Sequence, residues 1–158
     1  MNHRCNPSRL RAWARAAGVG AALVAALVTI SASAQPAPTD ALYQQLGGPA
    51  GLLALTDDFM LRLLADPRMN PFFKDVDALH FKQRLAAQLC EVSGGPCRLK
   101  EPDMKKAHAG VDITRTDFNA LIEVLQQSME ARGIPFSAQN RLLAKLAPMH
   151  RAIINAPQ

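Results

Sequence analysis

The chain has 158 residues, with 18 basic and 13 acidic side chains, a formal charge of +5 and only 5% aromatic residues. That length makes one domain around one core. The charge is uneven: removing residues 1–34 takes Arg4, Arg9, Arg11 and Arg15 and no acidic residue, leaving 14 basic against 13 acidic side chains and a net charge of +1. The high overall charge therefore gives no warrant for nucleic-acid binding, which needs a basic face on the folded domain.

The four arginines are followed by the 13-residue apolar run "GVGAALVAALVTI" and then by "SASAQ", with Ala32 and Ala34 in the small-x-small pattern of a signal-peptidase site. Basic, apolar and small-residue regions in that order predict a cleaved secretory signal over 1–34, and export to the periplasm. The other reading is an uncleaved membrane anchor, for which the apolar run is short. Cys5 precedes that run, so it cannot be the lipid-bearing cysteine of a lipoprotein. No spare basic amphipathic helix remains in the mature chain, and stable membrane attachment is not expected.

Residues 35–40, "QPAPTD", form a Pro-rich, flexible lead-in to a domain over 41–156. Asp40 is placed to cap a short helix, "ALYQQLGG", that stops at Gly47–Gly48. Pro49 suits the first turn of the next helix, whose Leu52, Leu55, Phe59 and Leu63 make one buried stripe. "ADPRMNPFF" breaks the pattern at Pro67 and Pro71 and drops Phe72 and Phe73 into a corner. From Asp77 to Val92 the helical period returns through Phe81, Leu85, Leu89 and Val92, and "SGGP" stops it.

Two cysteines fall in the next stretch, "CEVSGGPC". In an exported protein the pair Cys90 and Cys97 favours a disulfide over two free thiols, because the intervening Gly-Gly-Pro can turn the chain back. A short helix "MKKAHAG" follows. A longer one is capped by Thr114 or Thr116, with the stripe Phe118, Leu121, Ile122, Leu125 and Met129. "RGIPFS" precedes a last helix with Leu142, Leu143, Leu146, Met149 and Ile153, which Pro148 should kink. No stretch alternates over strand length. The fold class is all-α, with four substantial helices and several short ones.

The order of these signals is more specific than a helical bundle. "LGGP" at 46–49, the Phe72–Phe73 corner, "SGGP" at 93–96 and "DMKKAHAGVDIT" at 103–114 together resemble a truncated haemoglobin of the first group. That family is a shortened globin, a sandwich of two helices over two, and the resemblance runs from Asp40 to Ile154. It implies haem b as cofactor, a diatomic gas as ligand, and a monomer. His108 matches the proximal histidine that binds the iron, and Met104 the apolar residue beneath the porphyrin. Ile113, Phe118 and Leu146 match haem-contacting positions, Phe72 and Phe73 the aromatic corner, and Arg84 a basic residue that pairs with a haem propionate.

The chemistry agrees with this. Neutral imidazole is a good axial ligand, and a backbone carbonyl one turn back can fix its tautomer. Without the motif order, His108 would be an ordinary helix-end histidine, Phe72 and Phe73 ordinary core, and Arg84 an exposed charge.

The side facing the gas departs from the family. Met60 stands where a tyrosine is common, and Phe81 and Leu85 stand where a glutamine often follows. Dioxygen in such a pocket acquires partial negative charge, and a donor to it is worth about 1–3 kcal/mol. These three residues offer none, which suits nitric oxide or carbon monoxide better than tight oxygen retention. Gln88, one turn past Leu85, is read first as a partly exposed amide, and otherwise as a donor deeper in the pocket. His80 should lie at the rim and His150 at the surface. Leu99 and Glu101 replace a tyrosine and a glycine of the family pattern, so the loop before Met104 is rebuilt.

The leading expectation is an exported haem protein binding oxygen, nitric oxide or carbon monoxide. Turnover of nitric oxide with oxygen, a dioxygenase activity served by a reductase, is left open, and the missing tyrosine counts against it. The alternatives are an electron-transfer protein with a second axial ligand, such as the Met60 sulfur, and a haem-free interaction module.

Overall fold

The computed structural model describes residues 40–99 and 104–156, and every regular element among them is helical. The segment read as a signal sequence, the lead-in up to residue 39, and Glu101 lie outside the described residues.

Local chemistry sets the helix boundaries. Helix α1 (Ala41–Gln45) ends just before Gly47, whose left-handed φ of 86° turns the chain directly into α2 (Gly48–Ala65), with Pro49 in its first turn. The two helices meet so closely that a Cβ at Gly51 would overlap the Leu46 carbonyl oxygen. Asp40 occupies the N-cap position of α1 but does not cap it. Its carboxylate instead accepts from Gln44 Nε2 at 3.2 Å, one turn along, which corrects the capping expectation.

The Phe-Phe corner becomes the four-residue α3 (Asn70–Phe73), and Arg68 beside it pairs with both Asp66 and Glu123. Helix α4 (Ala78–Val92) starts at Asp77, whose side chain accepts from the His80 amide. A single turn, α5 (Met104–Ala107), precedes α6 (Arg115–Ala131). Thr114, not Thr116, caps α6 through a full capping box with Asp117. Helix α7 (Phe136–Leu146) gives way at Pro148 to a 3-10 turn, Ala147–Met149, and then to α8 (His150–Ile153).

Helix α2 packs on α4 and α6, and α7 packs on both of these, so two helices lie over two. The core between them holds Leu52, Leu55, Phe59 and Leu63 of α2 with Leu89, Val124, Met129 and Leu142 of the other three. The α2 stripe is buried throughout, but burial fades along the other three. On α4, Leu89 is buried but Phe81 and Leu85 are half-buried; on α6, Leu125 and Met129 are buried but Phe118, Leu121 and Ile122 are not fully covered. The same happens after Leu142, at Leu146, Met149 and Ile153. Those half-covered ends converge, and they leave a cavity.

The end of α4 is a tight corner. Cys90 and Cys97 face each other there, with Cα atoms 5.7 Å apart and Sγ atoms 2.04 Å apart. A Cβ at Gly95 would come within 2.7 Å of both the Cys90 sulfur and the Tyr43 ring, so only glycine fits the turn. The Tyr43 amide donates to the Ser93 carbonyl and ties α1 to the corner.

Because Thr114 caps through its side chain and Asp40 does not, the two should respond differently to truncation. Thr114→Ala should cost about 1 kcal/mol in urea unfolding, and Asp40→Ala no more than about 0.5 kcal/mol. Equal losses would show that the capping geometry is not what holds these ends.

Candidate haem-binding site

Helix α5 is one turn long, too short to be stable by itself. It nevertheless presents His108 in a defined way. The His108 amide donates to the Met104 carbonyl at 3.2 Å, and the ring Nδ1 lies 2.7 Å from the same oxygen. A carbonyl only accepts, so Nδ1 carries the proton and Nε2 keeps its lone pair. That is the tautomer a metal takes, and His108 lies on the cavity wall.

The cavity is about 400 Å³. Helix α4 contributes Phe81, Arg84, Leu85 and Gln88; α3 contributes Phe72 and Phe73; Met104, His108 and Ile113 come from α5 and the chain after it. Phe118 of α6 and Leu146 of α7 close it. Phe73 and Phe81 pack edge to face, ring centroids 5.3 Å apart, which fixes the aromatic corner. All of the wall positions anticipated from the sequence are brought together here except one.

That exception is Met60. It is buried at 4% exposure but is not on the cavity wall; its neighbour Phe59 is. Both residues of this pair are buried on α2, so hydropathy alone could not tell which faces the cavity. Gln88 is half-buried, a partly exposed amide, and it also lines the cavity. Its Nε2 points at thioethers, 3.1 Å from Met149 Sδ and 3.8 Å from Met104 Sδ, on the side of the cavity that carries His108.

His80 is exposed and off the wall. His150 is half-buried rather than superficial. Its ring lies 6.3 Å from that of Phe118, and its Nδ1 is 2.7 Å from the Ala147 carbonyl. Among wall residues not assigned from the sequence, Met149, Ile153, Leu121 and Ile122 had been read only as core stripe, and Leu99 only as a departure from the family pattern. Their helical spacing was visible; their position at the open end of the stripe was not.

The donor set fits haem. The wall is almost wholly apolar, one imidazole with its Nδ1 already engaged lies on it, and exposed Arg84 stands at its edge with no ion pair among the described residues. A flat apolar macrocycle with an anionic edge and an iron that lacks an axial ligand needs those three things.

Comparison with known proteins agrees with this geometry. Residues 41–155 match the family of bacterial-like globins. A group 1 truncated haemoglobin of Tetrahymena pyriformis is 32% identical over 93 residues, 59% of this chain and 77% of that one. A group 1 truncated haemoglobin of Nostoc commune is 27% identical over 114 residues, 72% of this chain and 97% of that one. Among solved structures, the Fe(III) form of the Tetrahymena pyriformis protein superposes with a TM-score of 0.68 at 27% identity, over 72% of this chain and 97% of that one. The haemoglobin of Chloroflexus aurantiacus does so with a TM-score of 0.63 at 26% identity, over 72% and 97%. The chain belongs to the bacterial-like globin family, and within it to the group 1 truncated haemoglobins.

Proposed function

We propose that this globin binds haem b through His108 and takes a diatomic gas on the opposite face, in a pocket that gives the gas no hydrogen-bond donor. The observation that carries this is the His108 ring itself: Nδ1 is engaged by the Met104 carbonyl, which leaves Nε2 as the free ring nitrogen, and the residue lines a cavity with apolar walls. When bound, haem supplies an iron with one open coordination position. Everything else is the work of this chain's side chains.

Phe59, Phe81 and Leu85 exclude water and offer no N–H or O–H to a ligand. Arg84, at the edge, is the group to pair with a propionate. Gln88 is the cavity's one amide, and its donor is turned toward Met149 and Met104 instead of the gas side. Such a pocket retains nitric oxide and carbon monoxide more readily than oxygen, and it weakens the argument for nitric oxide turnover. A second axial ligand from Met60 has no support, because that side chain is off the cavity wall.

We propose that the mature protein is periplasmic, a reading supported by the basic, apolar and small-residue order of residues 1–34. In that compartment Cys90 and Cys97, which face each other across the Gly94–Gly95 turn with Cα atoms 5.7 Å apart, form a disulfide.

Three measurements test these statements. The reduced protein should show a Soret band that shifts with carbon monoxide, and His108→Ala should lose it; a haem spectrum that survives this substitution would remove His108 as ligand. Leu85→Gln should slow oxygen dissociation by about tenfold or more, the worth of one hydrogen bond in a dry pocket, while Gln88→Leu should change it by less than about twofold. A large acceleration in Gln88→Leu would mean that its amide already serves the gas. Finally, the intact mass of the mature chain, which lacks Cys5, should rise by two adducts on alkylation only when a reductant is present.

A further inference from the structure

The segment that carries His108 is held by a residue far away in sequence. Helix α5 has only four residues, and the chain beyond it bends through two left-handed positions, Gly110 at φ 77° and Asp112 at φ 52°. Asp112 is not glycine, so that conformation is strained and needs outside support. The segment's own bonds are long: Ala109 to the Lys106 carbonyl and Val111 to the His108 carbonyl are both 3.4 Å.

The support comes from the tail after α8. Asn155 Nδ2 donates to the His108 carbonyl at 2.7 Å, and Asn155 Oδ1 accepts from the Ile113 amide at 2.8 Å. The main-chain amides of Asn155 and Ala156 both donate to the Ile113 carbonyl, each at 3.1 Å. One carboxamide therefore closes both ends of the His108–Ile113 segment, and the backbone around it grips Ile113 a second time.

We infer that Asn155 is a positioning residue for His108. The inference rests on His108 being the haem ligand. The imidazole is fixed to its own helical turn by Nδ1 and the Met104 carbonyl, so holding the backbone of that turn holds the direction of Nε2. Only a side chain that donates and accepts at once can do this. Aspartate would keep the acceptor for Ile113 but present a second oxygen to the His108 carbonyl, with nothing to donate. Alanine would leave both groups to water. Asn155 does not itself line the cavity; its side chain bonds main-chain atoms of the wall residues His108 and Ile113, and it acts through them.

The test compares wild type, Asn155→Asp, Asn155→Ala and His108→Ala. Two readouts are the iron–histidine stretching band of the ferrous protein and the rate of haem transfer to excess apomyoglobin. In both Asn155 variants the band should shift and broaden, and haem transfer should accelerate by about fivefold or more, the loss of one hydrogen bond or two. In the haem-free protein the Ile113 amide should exchange with deuterium faster in Asn155→Ala than in wild type, while amides of the α2 core stay protected. Unchanged band and transfer rate, with haem lost from His108→Ala, would overturn the positioning role and leave the ligand assignment standing. Haem retained with the wild-type band in His108→Ala would instead overturn the ligand assignment itself. Should Asn155→Ala not fold, Asn155→Asp is close to isosteric, and an unmoved band in that variant is enough to reject the inference.

Discussion

A single hydrogen bond, from His108 Nδ1 to the Met104 carbonyl, decides which ring nitrogen is left free to bind a ligand. The chain has other histidines, and one of them makes a similar local bond: His150 Nδ1 lies 2.7 Å from the Ala147 carbonyl. What sets His108 apart is where it is placed: half-buried, on the wall of an apolar cavity that Phe81 and Leu85 also line. There an imidazole whose Nδ1 is already engaged has only Nε2 left to offer a ligand. The site is therefore prepared for a ligand-seeking metal by the same bond that fixes the tautomer.

The cavity has an equally simple origin. The α2 stripe is buried throughout, but those of α4, α6 and α7 are longer than the contact area the helices share. Their inner ends, Leu89, Met129 and Leu142, join the α2 stripe in the core and are fully buried. Their outer ends cannot, because Pro67 and Pro71 turn the chain at one side and Pro148 breaks α7 at the other. The half-covered residues left over carry an unfavourable hydration cost in the empty protein, on the order of 25 cal/mol per Å² of apolar surface. A flat apolar guest recovers it, and by mass action any guest that binds the folded state alone stabilises it. Stability and haem binding are thus coupled through the same side chains.

Much of this was legible in the sequence, because it depends on neighbours along the chain. The glycine pairs, Pro148 and Thr114 marked helix ends, and spacing of three and four marked the faces. The order of motifs singled out His108, which composition alone could not have done. Three features escaped for physical reasons. Asp40 is at the right position for a cap, but Gln44 on the next turn competes for its carboxylate. Phe59 and Met60 are adjacent and both buried, so period says nothing about which one meets the cavity. Asn155 has no local signal, since its partners lie 42 and 47 residues away.

Those distant contacts change how the ligand-bearing turn is understood. A four-residue helix next to a strained loop cannot hold an imidazole in one direction by its own hydrogen bonds. It is held between two anchors of different kinds. On the N-terminal side is the corner after α4, where Cys90 faces Cys97 and Leu99 donates its amide to Glu91. On the C-terminal side is Asn155, with its grip on His108 and Ile113. The first anchor, when bridged, limits how far the chain can wander even when the domain opens. The second acts only in the folded state, and its hydrogen bonds are exposed enough to break and re-form. The direction of the His108 ring is therefore set by the weaker of the two, and small changes at the carboxy-terminal tail should be felt at His108 before they are felt in the core.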